Sequence, residues 1–410
     1  MPVASCRRQS GPMPETIVRA FRTELRPTEA QKRTLGRWCG AARYVYNWAL
    51  EERIRAYEER GETLSAYAQD KELTRLKRTE DHAWLGEIPR RVLYYALQDL
   101  DAAYKRFFER VKAGTGKPGF PRVKARRPGQ GSCSVYGTDI AVEERRIRLP
   151  RLGWVRLKER GYIPCGVKYG RVTISEHGGR WYISVVAHVP APDHVQTDAS
   201  VVAAHHGVRT WMLAQVGESM ASWQSAEDRI RPLRRRLKRL QRRLARQQKG
   251  SNRREKTRRH IAQVHARIAN IRREETHRLT HALVCELAPE VLVMQEYQVR
   301  EMLEQEIRAH GRRLPRRIER RIREQIASAN MGEILRQVRY KAGWYGVDLY
   351  EVPSEVPTSK RCSACGHVRE HFGAEIVYEC LVCGAKLDRE VNAVRNLMWI
   401  FEQSALIEAE

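Results

Sequence analysis

Four cysteines near the C-terminus have the type and spacing of metal ligands. Cys362-Ser363-Ala364-Cys365 and Cys380-Leu381-Val382-Cys383 are Cys-x-x-Cys pairs with 14 residues between them, close to the roughly 15–20 that separate the pairs of structural zinc sites. A glycine follows each pair, Gly366 and Gly384, and lets the backbone curl so that its amides reach the thiolates, as in a zinc ribbon. Four thiolates complete a tetrahedron around Zn²⁺ and leave no open position, so the ion would hold structure and would not catalyse. Two disulfides are the competing reading, disfavoured where the compartment keeps thiols reduced. The other five cysteines, Cys6, Cys39, Cys133, Cys165 and Cys285, are scattered singly and suggest no secreted framework.

The second chemistry is cationic. Against 49 acidic residues stand 76 basic ones, a net charge of +27, and 61 of the basic residues are arginine. Such a surplus calls for a polyanion. It is concentrated in two places. Between Lys112 and Ser132, Gly114, Gly116, Gly119 and Gly129 alternate with Lys117, Arg122, Lys124, Arg126 and Arg127; glycine allows close approach to a phosphate and the cations neutralise it. A flexible basic loop with no dedicated ligand is the plainer alternative. Between Arg229 and Arg259 there are 16 basic residues and one acidic, Glu255. A merely solvated face mixes signs, so this segment reads as a helical hairpin facing nucleic acid, with Arg234, Arg235, Lys238, Arg242 and Arg246 on phosphates. Tyr44, Tyr46, Trp48, Tyr94 and Tyr95 could stack on bases, but their helical spacing places most of them in a core. No run approaches the ~18 apolar residues of a spanning helix, and residues 1–20 lack the apolar centre of a signal peptide. An intracellular protein is expected.

The elements that would position these groups follow from periodicity. Residues 1–12 are polar and read as disordered. A strand begins at Thr16. Thr28-Glu29-Ala30-Gln31 is a capping box for a helix with Leu35, Trp38, Ala42, Val45 and Ala49 on one face, and a second helix follows Pro89. Short alternating segments at 146–149, 154–157, 171–174 and 181–186 predict a small antiparallel sheet or barrel. After a linker with Pro190 and Pro192 come strands at 200–204 and 210–214, the hairpin with its break at Lys249-Gly250-Ser251-Asn252, a buried strand Val291–Met294, helix from Ile318 to Trp344, and a strand Val347–Val352. That order describes a mixed α/β domain whose sheet is covered by helices.

Several segments in this order resemble the transposon-encoded TnpB proteins, RNA-guided DNA nucleases related to the ancestors of type V CRISPR effectors. They are Cys39-Gly40-Ala41-Ala42-Arg43-Tyr44-Val45-Tyr46-Asn47-Trp48, Gly119-Phe120-Pro121-Arg122-Val123-Lys124, Leu149-Pro150-Arg151-Leu152-Gly153-Trp154, Tyr340-Lys341-Ala342, Thr358-Ser359-Lys360-Arg361-Cys362 and Asp388-Arg389-Glu390-Val391-Asn392-Ala393. The resemblance spans nearly all of residues 13–400. It implies an α+β multidomain protein: a wedge β-barrel from 13–27 and 113–192, an inserted helical recognition block at 28–112, a RuvC domain of RNase H fold at 193–356 and 386–402, a zinc ribbon at 357–385, and a tail at 403–410.

Family members cut DNA with three carboxylates in the RuvC domain. Here the aspartate of the first motif is His205, the glutamate of the second is Gln295, and the aspartate of the third is Glu390. Two divalent cations ~4 Å apart bring a charge of +4 that three carboxylates partly neutralise. These positions offer one carboxylate. An imidazole suits zinc or nickel better than Mg²⁺, and an amide carries no charge. Glu296 is adjacent to Gln295 but points to the opposite face of a strand; Asp388 lies two residues before Glu390 and Asp198 seven before His205. No catalytic Mg²⁺ is therefore expected, and the degenerate positions leave no catalytic residues.

The cysteines, the basic hairpin and the glycine-rich loop are intact, which argues against general decay. The chain thus resembles the nuclease-dead, TldR-like repressors. The resemblance implies structural Zn²⁺, a guide RNA and target double-stranded DNA as partners, one protein on one guide RNA, and a bacterial cytoplasmic, nucleoid-associated repressor that occupies a site next to a short duplex motif. The alternatives are an RNA-guided endonuclease with displaced metal ligands and a non-specific nucleic-acid binder assisting transposition.

Overall fold

A computed structural model describes residues 7–9, 14–114, 119–126, 129–193, 200–207, 210–296, 330–369 and 376–409. The Thr28 hydroxyl accepts the Gln31 amide hydrogen at 3.3 Å while the Gln31 side chain accepts that of Thr28 at 3.0 Å. This reciprocal box, worth about 1 kcal/mol, opens α1 (Glu29–Arg60). Leu35, Trp38, Ala42, Val45 and Ala49 are all buried. Helices α2 (Ala66–Leu76) and α3 (Arg90–Ala113) follow.

The apolar stripes of α1 and α3 need a cover, and an antiparallel sheet supplies it. Strands β2 (Thr16–Arg26), β3 (Ser132–Val135), β4 (Ala141–Glu143), β5 (Arg146–Leu149), β6 (Gly153–Leu157), β7 (Lys168–His177) and β8 (Arg180–Pro190) run in the order β3-β7-β8-β2-β6-β5-β4. One continuous core joins Leu35, Trp38 and Leu97 of the helices to Val135, Ile147 and Ile183 of the strands. The helical block and the sheet therefore share one core and belong to one compact unit, where the sequence suggested two domains. That unit comprises residues 16–190 and 237–266.

The second unit comprises residues 1–15, 191–236 and 267–410. Its sheet contains β1 (Arg7–Gln9), β9 (Val201–His205), β10 (Met212–Val216), β11 (Ser219–Trp223), β12 (Val291–Gln295) and β13 (Asp348–Val352), in the order β1-β13-β12-β9-β10-β11. β9, β12 and β13 are parallel, and β10 and β11 fold back as an antiparallel meander. Side chains alternate across it. Val202, Ala204, Leu292, Met294 and Leu349 face α6 (Met331–Tyr345), whereas Ala203, Val293, Tyr350 and Val352 face α7 (Arg389–Ala409).

Four expectations change. Arg7–Gln9 is not disordered: it pairs antiparallel with β13, and the Arg8 guanidinium binds Asp348 at 2.9 Å. The edge of β13 offers unpaired backbone groups, and a polar strand satisfies them without hydrophobic residues that a sequence pattern could register. Residues 403–409 are not a tail, because α7 continues to Ala409 and Ser404 is buried beneath the Tyr350 hydroxyl. The basic hairpin, α4 (Glu227–Ala245) and α5 (Asn252–His281), does not lie wholly in the second unit, as the expected bounds of the RuvC domain had it. Its distal part groups with residues 16–190, where Gly178 packs against Gln263. The strand β11 has no counterpart among the predicted strands, since Ser219-Met220-Ala221-Ser222-Trp223 lacks β-branched residues. The helix expected from Ile318 lies outside the described residues up to position 329.

Candidate functional site

The carboxyl ends of β9 and β12 lie side by side. Ala204 is opposite Met294, so His205 and Gln295 form the next step of the same register. Both share the alternation of Ala203 and Val293 towards α7, whose first turn carries Glu390. All three degenerate positions stand at one end of the sheet.

Two of the three side chains, Gln295 and Glu390, hold backbone in place. The Gln295 amide donates to the carbonyls of Val356 at 2.8 Å and Pro353 at 3.3 Å, and its oxygen accepts the Thr358 hydroxyl hydrogen at 2.7 Å. A carboxylate has no N–H to offer those two carbonyls. The Glu390 carboxylate is buried against Gly207, where any Cβ would collide with it, and both oxygens accept the Thr210 amide hydrogen at 3.3 Å. It therefore ties Thr210 to the first turn of α7. Asp388 is occupied as the cap of α7, its Oδ1 accepting the amides of Glu390 at 2.8 Å and Val391 at 3.4 Å. Glu296 faces the other way, as alternation requires: Arg339 of α6 binds it at 3.4 Å and holds buried Glu351 at 2.6 Å. Asp198 lies outside the described residues.

Burial pushes the His205 imidazole down to about 3, with His206 and Arg389 adding positive charge nearby. Its Nδ1 is buried and has no hydrogen-bond partner among the described residues. The ring is neutral near pH 7. An unfolded histidine takes up a proton below pH ~6.5, so His205 stabilises the fold above that pH and the contribution is lost as pH falls from ~6.5 towards 3. By pH 5 the loss is about 2 kcal/mol. Urea midpoints measured at pH 7.5 and 5 should fall further in the wild type than in His205→Asn; equal falls would refute this.

The four cysteine sulfurs lie within 4.8 Å of one another, with Cys362 to Cys383 at 3.7 Å and Cys365 to Cys380 at 3.5 Å. A tetrahedron of ~2.3 Å Zn–S bonds has edges of ~3.8 Å, so the ligand set fits Zn²⁺. Each pair closes a tight knuckle: Gly366 N–H donates to the Cys362 carbonyl at 2.9 Å and Gly384 N–H to that of Cys380 at 3.1 Å. Both glycines have positive φ, +78° and +72°. The amides of Cys383 and Val382 pull the Cys380 thiol down to about 6, favouring the thiolate a metal requires. The second knuckle forms the turn between β14 (Val377–Glu379) and β15 (Lys386–Asp388).

Asn392, quoted in the sequence only as part of the Asp388–Ala393 segment, and Asn396, not singled out at all, fasten the first knuckle to α7. Asn392 accepts the Ser363 amide at 2.9 Å and donates to the Arg361 carbonyl at 2.7 Å; Asn396 donates to the carbonyls of Thr358 at 2.8 Å and Arg361 at 2.7 Å. Their spacing of four places both on one helical face and is the signal that could have found them. Gln295, through Thr358, belongs to the same network.

Arg122 and Arg126 are exposed, and Arg127 lies outside the described residues. Lys124 is partly engaged: its ammonium sits 3.8 Å from the centre of the Tyr46 ring and 3.8 Å from Asp99, and Asn47 grips its backbone on both sides. Arg234 binds Glu227 at 2.7 Å. Arg235, Lys238 and Arg242 on one side of α4, and Arg246 just past its end, are exposed and have no acidic partner among the described residues. Of the aromatic candidates, Tyr46 and Tyr95 are buried and Tyr44 is exposed. Among the described residues no helix is long and apolar enough to cross a membrane.

Comparison with known proteins gives this architecture a lineage. A "Helix-turn-helix domain" model of the OrfB/IS605 type matches residues 13–62, the OrfB/IS605 "Probable transposase" model matches 184–306, and a "Cas12f1-like, TNB domain" model matches 332–397. The "Putative RNA-guided DNA endonuclease InsQ" of Escherichia coli (strain K12) is 32% identical over 390 residues, 93% of this chain and 92% of its own. A "Putative RNA-guided DNA endonuclease" of Streptomyces pristinaespiralis is 29% identical over 396 residues, 94% of this chain and 90% of its own. A chain in the solved Cas12f1-sgRNA-target DNA complex has this fold, with a TM-score of 0.54 at 11% identity over 94% of this chain and 99% of that one. Sheet order and fold likeness define an α+β multidomain protein that resembles the Cas12f1 chain in fold. The chain belongs to the TnpB family of IS605-type transposon proteins.

Proposed function

We propose that this protein uses a guide RNA to bind chosen sites in double-stranded DNA without cutting them, and represses transcription by occupying a site beside a short duplex motif. The names of its relatives support RNA-guided DNA targeting. The observation that carries the loss of cleavage is the end of the sheet itself. Where two divalent cations need several hard oxygen ligands, Glu390 offers the only carboxylate of the three positions and is tied to Thr210, Gln295 is tied to three backbone or hydroxyl partners, and His205 is a neutral imidazole. Structural Zn²⁺ would sit on Cys362, Cys365, Cys380 and Cys383. Arg122, Arg126, Arg127, Arg235, Lys238, Arg242 and Arg246 would hold nucleic-acid phosphates, with Lys124 and Arg234 in lesser roles, and one chain would serve one guide RNA in the bacterial cytoplasm. A stable complex at a promoter obstructs polymerase without chemistry.

The second reading, an active RNA-guided endonuclease, is favoured by the names of the same relatives. One assay decides between them. Guide-bound protein incubated with supercoiled target plasmid and Mg²⁺ or Mn²⁺ is expected to shift the plasmid and leave it supercoiled, and a promoter carrying the target should be silenced. Guide-dependent nicking or linearisation would overturn the proposal.

A further inference from the structure

Two cysteines far apart in sequence meet inside the first unit. Cys39 of α1 and Cys133 of β3 are 94 residues apart, yet their sulfurs lie 3.8 Å from each other, both as free thiols. The chain entering β3 comes so close to Cys39 that a Cβ on Gly131 would stand 2.8 Å from the Cys39 Cβ. Buried thiols are inert where nothing reaches them. These two line a cavity of about 390 Å³ together with Val123, Lys124, Gln130 and Ser132. Those four residues are exposed, so a small solute has a way in. The hydrogen bond with Cys39, together with burial, pushes the Cys133 thiol well up. Cys39 is therefore the sulfur to react first, and Cys133 the one to follow.

We infer that Cys39 and Cys133 form a reversible disulfide when the protein meets a hydroperoxide, and that this bond clamps the basic segment before β3 onto α1. Closing the pair from 3.8 Å to the ~2.05 Å of a disulfide asks each sulfur to move about 0.9 Å. The Cys39 thiolate attacks one peroxide oxygen, the O–O bond breaks, and the departing oxygen takes the thiol proton as water, leaving a sulfenic acid. The Cys133 sulfur then displaces the sulfenic hydroxyl, which leaves as a second water with the Cys133 proton. Two thiols lose two electrons and two protons, and one hydrogen peroxide becomes two waters. Exchange with a small dithiol reverses the step, the behaviour of intracellular disulfides that sense oxidants. The bond adds a second fastening to one already present. The Asn47 side chain of α1 donates to the Lys124 carbonyl at 3.1 Å and accepts the Lys124 amide hydrogen at 2.8 Å. With Cys133 bound to Cys39, the chain from Lys124 to Cys133 is held to one helix at both ends, with the exposed Arg126 between them. It also secures β3, an edge strand whose sheet partner is β7. The chemistry needs neither guide RNA nor target DNA.

The test treats full-length, zinc-loaded protein with a small excess of hydrogen peroxide, alkylates the remaining thiols after unfolding, and maps peptides without reduction. A Cys39–Cys133 linked peptide is expected, about 2 Da lighter than its two thiol forms together and separated by dithiothreitol. Trypsin cleavage of the native protein after Arg126 should slow about fivefold on oxidation and recover with dithiothreitol. Cys39→Ala should lose that slowing and keep the wild-type zinc content. Both thiols found alkylated after peroxide, Cys39 carried to the sulfonic acid without a linked peptide, or a cleavage rate indifferent to oxidation would each overturn the inference.

Discussion

Gln295→Glu is expected to destabilise the second unit by about 3 kcal/mol and to restore no cleavage. The substitution returns the residue type that active family members are expected to carry, yet position 295 is now built for an amide. Its N–H groups hold the carbonyls of Val356 and Pro353. A carboxylate there would face both oxygens and keep only the Thr358 hydroxyl as a donor. Leaving buried acceptors unsatisfied costs about 1–3 kcal/mol, and an unpaired buried charge costs more. The carboxyl therefore protonates part of the time, its folded pKa raised above the unfolded ~4.3. The deficit against wild type then grows as pH rises through that raised value and shrinks below ~4.3. For a unit of this size the transition should fall by about 6–12 °C at pH 7.5. Thermal unfolding of both proteins at pH 7.5 and 5 checks this; a variant as stable as wild type at pH 7.5 would show that the amide bonds contribute little.

The larger effect is expected on removing metal. Structural zinc contributes on the order of 10 kcal/mol to the folding of small ribbons, and this ribbon buries little besides Cys362, Tyr378 and Cys380. Cys380→Ser, or treatment with a strong chelator, should open residues 357–388 to protease while residues 16–190 stay resistant. Purified wild type should hold one zinc per chain by mass spectrometry. Because Asn392, Asn396 and Thr358 connect the first knuckle to α7 and Gln295, target binding should fall with the ribbon and return when zinc is restored. Protease resistance unchanged in metal-free protein would refute a structural role.

What could be read from the sequence was whatever has a period or a fixed spacing. The Cys-x-x-Cys pairs, the capping box at Thr28 and the helical stripe through Leu35 and Val45 depend on local geometry, and they form as their spacing predicts. The direction of Glu296 followed from alternation alone. Contacts set by distant partners were hidden. Arg7–Gln9 is polar and becomes a strand only because β13 has a free edge, and Ser404 is buried because Tyr350 arrives from another strand. At the candidate site, sequence could name His205, Gln295 and Glu390 but not their duties. That Gln295 grips the carbonyls of Pro353 and Val356 and the Thr358 hydroxyl, and Glu390 the Thr210 amide, depends on distant segments brought together, which no residue pattern encodes.

The pairing of β1 with β13 also bears on how the chain is made. Arg8 and Asp348 are 340 residues apart, so at about 5–20 residues per second the ribosome needs roughly 20–70 s to deliver the partner of a strand it made first. The segment 16–190, whose ends leave and re-enter side by side with Ala191 N–H bonded to the Glu15 carbonyl at 3.0 Å, can fold during that wait. Its completion brings the waiting N-terminus back to the point where the chain resumes. The order of synthesis thus makes the edge of this sheet one of the last parts to close, and a chain stalled before Asp348 would leave β1 and the β12 edge that β13 covers unpaired, as seeds for misassembly.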